Sequence, residues 1–151
     1  MSLQERLVAE MKEAMRAGNQ AKLSVIRLLR ASIKNREIEK GKGNPLTEQE
    51  LLEVVVSSIK QRRDSIEQFA KGGRQDLVEK EEKEAEILKA FLPQPLTREE
   101  LIEKAKAVIR ETGAQGPKDM GKVMKVLMPQ VVGRVEGATV SQVVKDLLTQ
   151  A

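Results

Sequence analysis

Three lysines in the stretch Gly116–Gly137, GPKDMGKVMKVLMPQVVGRVEG, are the residues of this chain best spaced to act together. Lys118, Lys122 and Lys125 fall at i, i+4 and i+7, which puts three ammonium groups on one face of a helix. Met120, Val123, Met124 and Leu127 take the opposite side, so the pattern reads as a basic face mounted on a small apolar core. Such a face breaks no bonds; its chemistry is the neutralisation of anions.

Other groupings read differently. Arg27, Arg30 and Lys34 recur at i, i+3 and i+7, a solvated flank on the first reading and an anion-binding face on the second. Ser57-Ser58 with Lys60 has the residue types of a serine–lysine amidase, but that chemistry needs a serine exposed at an elbow beside a desolvated lysine. The pair lies in mid-helix, so no catalytic role is assigned. Glu79, Glu82 and Glu86 share a helical face and interleave with lysines, the pattern of a solvated flank rather than of acid–base machinery. Gly41-Lys42-Gly43-Asn44-Pro45 lacks the spacing and the preceding strand of a phosphate-binding loop.

Composition narrows the options further. The 151 residues contain no cysteine and no histidine, which removes disulfides, thiolate nucleophiles, the usual zinc ligands and the commonest general base. With two Phe and no Trp or Tyr, there is little to stack unpaired bases on, and Phe69 and Phe91 read as core. No metal, cofactor or catalytic residue is expected. No apolar run approaches membrane-spanning length and the N-terminus is amphipathic, so the expectation is a cytoplasmic protein without a membrane association. Charge is segregated locally: residues 22–42 hold seven basic against two acidic groups, and residues 76–86 six acidic against two basic. Patches of this kind point toward polyanionic partners.

The elements that must position these groups are all helical. Capping boxes at Ser2/Glu5, Thr47/Glu50 and Thr97/Glu100 each precede an apolar stripe at helical spacing. The first stripe is Leu3, Leu7, Met11 and Met15. A second helix spans about Gln20 to Lys40 with Leu23, Ile26, Leu29 and Ile33 inward. The third carries Leu52, Val55, Ile59, Ile66 and Phe69 and closes at Gly72-Gly73; Arg62 interrupts that stripe and would meet water or an acidic neighbour, with Glu81 the candidate. The fourth runs from about Arg74 to Leu92. Leu92-Pro93-Gln94-Pro95-Leu96 then reads as a Pro-x-Pro hinge. Beyond it follow a helix ending near Gly113, the lysine helix ended by Pro129, and a last helix opened by Thr139 and Gln142. The expectation is all-α: a four-helix domain over residues 1–93 and a three-helix tail domain over residues 94–151.

Several of these stretches resemble one family. Leu23-Ser24-Val25-Ile26-Arg27-Leu28-Leu29-Arg30 with Ile33-Lys34-Asn35, then Lys60-Gln61-Arg62-Arg63, Gly72-Gly73-Arg74 and Phe91-Leu92-Pro93, are similar to its markers. So are Asp119-Met120-Gly121-Lys122-Val123-Met124, Met128-Pro129 and the Gly133…Gly137 return. In order along nearly the whole chain they resemble the GatB/YqeY family, in its free-standing YqeY-like form. Lys125 and Glu136 stand where the family has Gly and Asp, and Val131-Val132 replaces a more polar pair.

The resemblance implies a helical domain with a small three-helix tail that engages tRNA, as in the B subunit of the tRNA-dependent amidotransferase. It carries an association with carbon–nitrogen ligase activity using glutamine as amide donor, although the transamidating site belongs to a domain this chain lacks. The expected partner is tRNA or another structured RNA, bound through Lys118, Lys122, Lys125 and Arg134, with Arg27, Arg30, Lys34, Lys60 and Arg63 as a second surface. The alternatives are an amidotransferase acting in its own right and a module that docks on an amidotransferase-type protein complex.

Overall fold

The computed structural model describes residues 1–150. Among them there are seven α-helices and no strand: α1 Leu3–Ala17, α2 Gln20–Lys40, α3 Glu48–Lys71, α4 Gln75–Lys89, α5 Arg98–Thr112, α6 Met120–Val131 and α7 Gly137–Thr149. A single 3-10 turn, Pro117–Asp119, leads into α6. Contacts gather in two compact units, Met1–Leu92 and Pro93–Ala151.

Local chemistry explains the helix ends. Ser2 and Thr47 each accept the N3 amide on the side chain while the N3 glutamate, Glu5 or Glu50, returns a bond to the cap amide. Thr97 accepts from the Glu100 amide and hydrogen-bonds the Glu100 carboxylate through its hydroxyl. Gly18 and Gly113 take left-handed φ angles of 68° and close α1 and α5 by paired bonds back into the last turn, from Asn19 to Ala14 and from Ala114 to Ile109.

In the first unit α3 and α4 form an antiparallel pair, α1 packs on α2, and α2 packs on both α3 and α4. The core is aliphatic: Leu7, Val25, Ile26, Leu29, Val55, Ile59 and Leu88 are all nearly inaccessible, with Phe91 beside them. In the second unit Leu101, Ala105 and Val108 of α5 meet Val123, Leu127 and Val131 of α6 and Val140, Val143, Val144 and Leu148 of α7. Each such valine, leucine, isoleucine or phenylalanine contributes on the order of 1.5–3 kcal/mol by leaving water.

Several expectations are corrected. Pro129 does not end the lysine helix; α6 continues to Val131. The missing amide would have bonded the Lys125 carbonyl, and both residues lie on the solvent-exposed side of α6, while Leu127 and Val131 stay anchored in the core. The last helix starts at Gly137 rather than at Thr139, because the Glu136 carbonyl already accepts from Val140. Phe69 is only partly buried, whereas Phe91 is core. In α1 it is Ala14 that is buried and Met15 that is 54% exposed, since the stripe drifts by one residue at the last turn.

Candidate functional site

The lysine face is built by α6 and the turn before it. The 12 residues of α6, MGKVMKVLMPQV, contain no acid. Val123, Leu127 and Val131 are fully buried, which fixes the rotation of the helix and sends Gly121, Lys122, Lys125, Val126 and Pro129 outward. Lys118 is not on α6 itself: it sits in the 3-10 turn, and the chain enters α6 directly from it, so its exposed side chain continues the same face. Asp119, the one carboxylate nearby in sequence, accepts from the Gln115 amide at 2.9 Å and makes no ion pair with the lysines. Among the described residues Lys118, Lys122 and Lys125 make no ion pair. Three ammonium groups without an ion pair, against the single carboxylate of Asp119, leave a local positive potential available to an anion.

Arg134 belongs to the same unit but has a structural task. Its Nε donates to the Gln94 carbonyl at 2.9 Å, and its own carbonyl accepts from the Leu96 amide at 3.0 Å. It thereby ties the segment leading into α5 to the return after α6.

The second set of basic residues does not form one surface. Arg27, Arg30 and Lys34 share an exposed side of α2; Arg30 and Lys34 border the groove between α1 and α2, and Arg30 Nη1 lies 3.3 Å from Met11 Sδ. The α3 residues that line the groove against α2 are Ser58, Gln61, Arg62 and Ser65. Lys60 is two residues from Ser58, and Arg63 two from both Gln61 and Ser65, about 200° of helix rotation in each case, so both point away from that groove. Each of these five side chains is exposed.

Other candidates resolve to structure. Ser58 donates from its hydroxyl to the Val54 carbonyl at 3.0 Å, one turn back, and is no nucleophile. Arg62 pairs with Glu81 at 3.1 Å and with Glu84, all three side chains being about one-sixth exposed or less. Glu81 is therefore the partner the sequence suggests, and Glu84 the one it did not; a carboxylate one turn further on α4 carries no separate sequence signal. Lys40 bonds both the Pro45 carbonyl at 2.9 Å and Glu50 at 2.5 Å, fastening the glycine turn between α2 and α3. That bond from Lys40 and the Thr47 amide hold the Glu50 carboxyl below its usual range. Among the described residues no three His, Cys, Asp or Glu side chains gather to hold a metal ion, and no helix is long and apolar enough to cross a membrane. Gly121 is the position of the lysine face that sequence reading passed over, because a glycine near a helix start reads as punctuation.

Comparison with known proteins gives a coherent answer. The family model described as Yqey-like protein matches residues 4–148. Two curated relatives named Altered inheritance of mitochondria protein 41, mitochondrial, match over most of the chain. That of Eremothecium gossypii is 34% identical over 90% of this chain and 71% of its own length. That of Pyrenophora tritici-repentis is 31% identical over 95% of this chain and 79% of its own. A protein of the same name from Lachancea thermotolerans is 44% identical over 58% of this chain and 46% of its own length. These names overturn the expectation of a cytoplasmic protein. That expectation rested on the lack of a long apolar run, which bears on bilayer crossing and not on compartment, and on an amphipathic N-terminus, which argues only against a secretory signal.

Proposed function

The chain belongs to the Yqey-like protein family, and on that premise we propose that it is an RNA-binding accessory protein whose tail unit grips the phosphate backbone of tRNA. The observation that carries this reading is the exposed strip of Lys118, Lys122 and Lys125, which has no ion-pair partner among the described residues and whose helix, α6, contains no acid. Lysines so placed neutralise phosphates and release counterions, a source of affinity that is independent of sequence. Without an aromatic platform the protein reads shape and charge rather than unpaired bases. Arg27, Arg30 and Lys34 supply a second patch, and Lys60 and Arg63 a third.

The resemblance to the amidotransferase B subunit guides the choice of RNA: glutamyl- and aspartyl-tRNA, correctly and wrongly charged, are the first to test. The protein's part is to hold the RNA while a partner enzyme acts.

Filter retention of tRNA across a salt series tests the reading, with the native chain against Lys118→Glu/Lys122→Glu/Lys125→Glu. Retention by the native chain should fall steeply with salt. The variant should bind far more weakly, with the slope of log K against log salt reduced by about two to three, one for each lost phosphate contact. No retention of the native chain at low salt sinks the proposal and turns attention to a protein partner for the acidic face of α4.

A further inference from the structure

We propose that Gly121 is the floor of the RNA-binding strip, a position kept free of a side chain so that a sugar-phosphate backbone can lie directly on α6 between Lys118 and Lys125. This rests on the reading of the lysine strip as an RNA contact and adds which surface the RNA touches.

Glycine is among the poorest helix formers, and Gly121, the second residue of α6, shows no internal return for lacking a side chain. Its φ is not in the left-handed region, unlike those of Gly18 and Gly113, which close helices. A Cβ built on it meets nothing within 4 Å, whereas at Gly137 it would meet Met128 Cε at 3.9 Å. Gly121 is exposed, and neither packing nor backbone geometry within the chain asks for it.

Its surface neighbours supply an external reason. On a helix the residues three back and four on are adjacent, and for Gly121 these are Lys118 and Lys125, with Lys122 next in the chain. The strip is a bare patch of backbone bracketed by ammonium groups that span about 10 Å of helix. A single small anion cannot reach all three, but a chain of regularly spaced phosphates can. The lysines act as flexible point charges, which can follow a run of phosphates without demanding a fixed bidentate geometry. The close approach removes water between phosphate and helix, which strengthens each charge contact.

The test is retention of tRNA by the native chain, Gly121→Ala and Gly121→Gln, with thermal melts of each. Both substitutions replace glycine by a better helix former in open space, so the melting temperature should hold or rise. Affinity should fall in the order Gly, Ala, Gln, by about tenfold for Gln, with the salt slope nearly unchanged because the lysines remain. Binding by Gly121→Gln within about twofold of native, while the triple glutamate variant loses tRNA, overturns this inference alone. Absence of native binding overturns the underlying reading and this one with it. Competition by polyglutamate as effective as by unlabelled tRNA would assign the strip to an acidic protein segment and overturn the choice of RNA.

Discussion

Arg6, in the second turn of the first helix, holds its guanidinium 4.9 Å above the ring of Phe91, just beyond the end of α4. The same group donates to the Ala90 carbonyl at 2.6 Å and to Glu10 at 2.6 Å. One side chain thus caps the last turn of α4, covers the aromatic that closes the first core, and anchors α1. Arg6→Ala should cost about 1–2 kcal/mol, the sum of a partly exposed cation–π contact and its hydrogen bonds. Urea unfolding with an unchanged m-value measures it. Arg6→Lys should recover little, because an ammonium cannot hold the ring, the carbonyl and the carboxylate together.

The ion cluster of Arg62, Glu81 and Glu84 behaves differently, since its members are largely sheltered from water. Arg62→Leu leaves two carboxylates side by side without their cation and should destabilise the first unit by about 2–4 kcal/mol at neutral pH. Replacing all three residues by leucine should restore most of the stability, and a triple variant as weak as Arg62→Leu would disprove the account.

Glu10 sets an acid limit. Burial works to raise its carboxyl, but hydrogen bonds from Lys22 and Arg6 outweigh that and hold it below its ordinary 4.5. A carboxyl lowered in the folded state stabilises fully above the unfolded value, and that contribution is lost as pH falls through the folded one. Glu10→Gln should therefore unfold at lower temperature than the native chain at pH 7. The gap should close steadily from about pH 4.5 downward, as melts across the acid range would show.

In the tail unit, stability and binding should separate by residue. Arg134→Ala breaks the bond to the Gln94 carbonyl and should cost about 1 kcal/mol. Lys122→Glu touches no partner among the described residues and should leave the melting temperature within a degree or so while weakening tRNA retention. A drop in melting temperature for Lys122→Glu equal to that of Arg134→Ala would mean the lysine strip serves the fold.

The outlying basic residues give a test of additivity. Arg27→Glu/Arg30→Glu/Lys34→Glu and Lys60→Glu/Arg63→Glu alter different sides of the first unit, so their effects on tRNA retention should add within about 0.5 kcal/mol. Each should be smaller than that of reversing the three tail lysines. Strong coupling between the sets would show that one RNA segment spans both.

Most of the helices were legible because their signals are local. A serine or threonine three residues before a glutamate states its own hydrogen bonds, and Gly18 and Gly113 announce ends that only a left-handed residue makes cheaply. Pro129 and Thr139 misled for the complementary reason. A proline or a capping residue shifts a boundary only when its surroundings allow, and the buried Val131 and the Glu136 carbonyl outweighed them.

The identity of the helices, their caps and the common face of Lys122 and Lys125 follow from the order of residues, through bonds that span four positions or fewer, and the absence of thiol and imidazole chemistry follows from composition. The pairing of Arg62 with Glu84, the diversion of Arg134 to Gln94, the grip of Arg6 on Phe91 and the separation of Lys60 and Arg63 from the α2 patch do not. Each depends on how helices far apart in sequence rotate and approach when their apolar stripes pack, and periodicity names the buried side of a helix without naming which neighbour meets it.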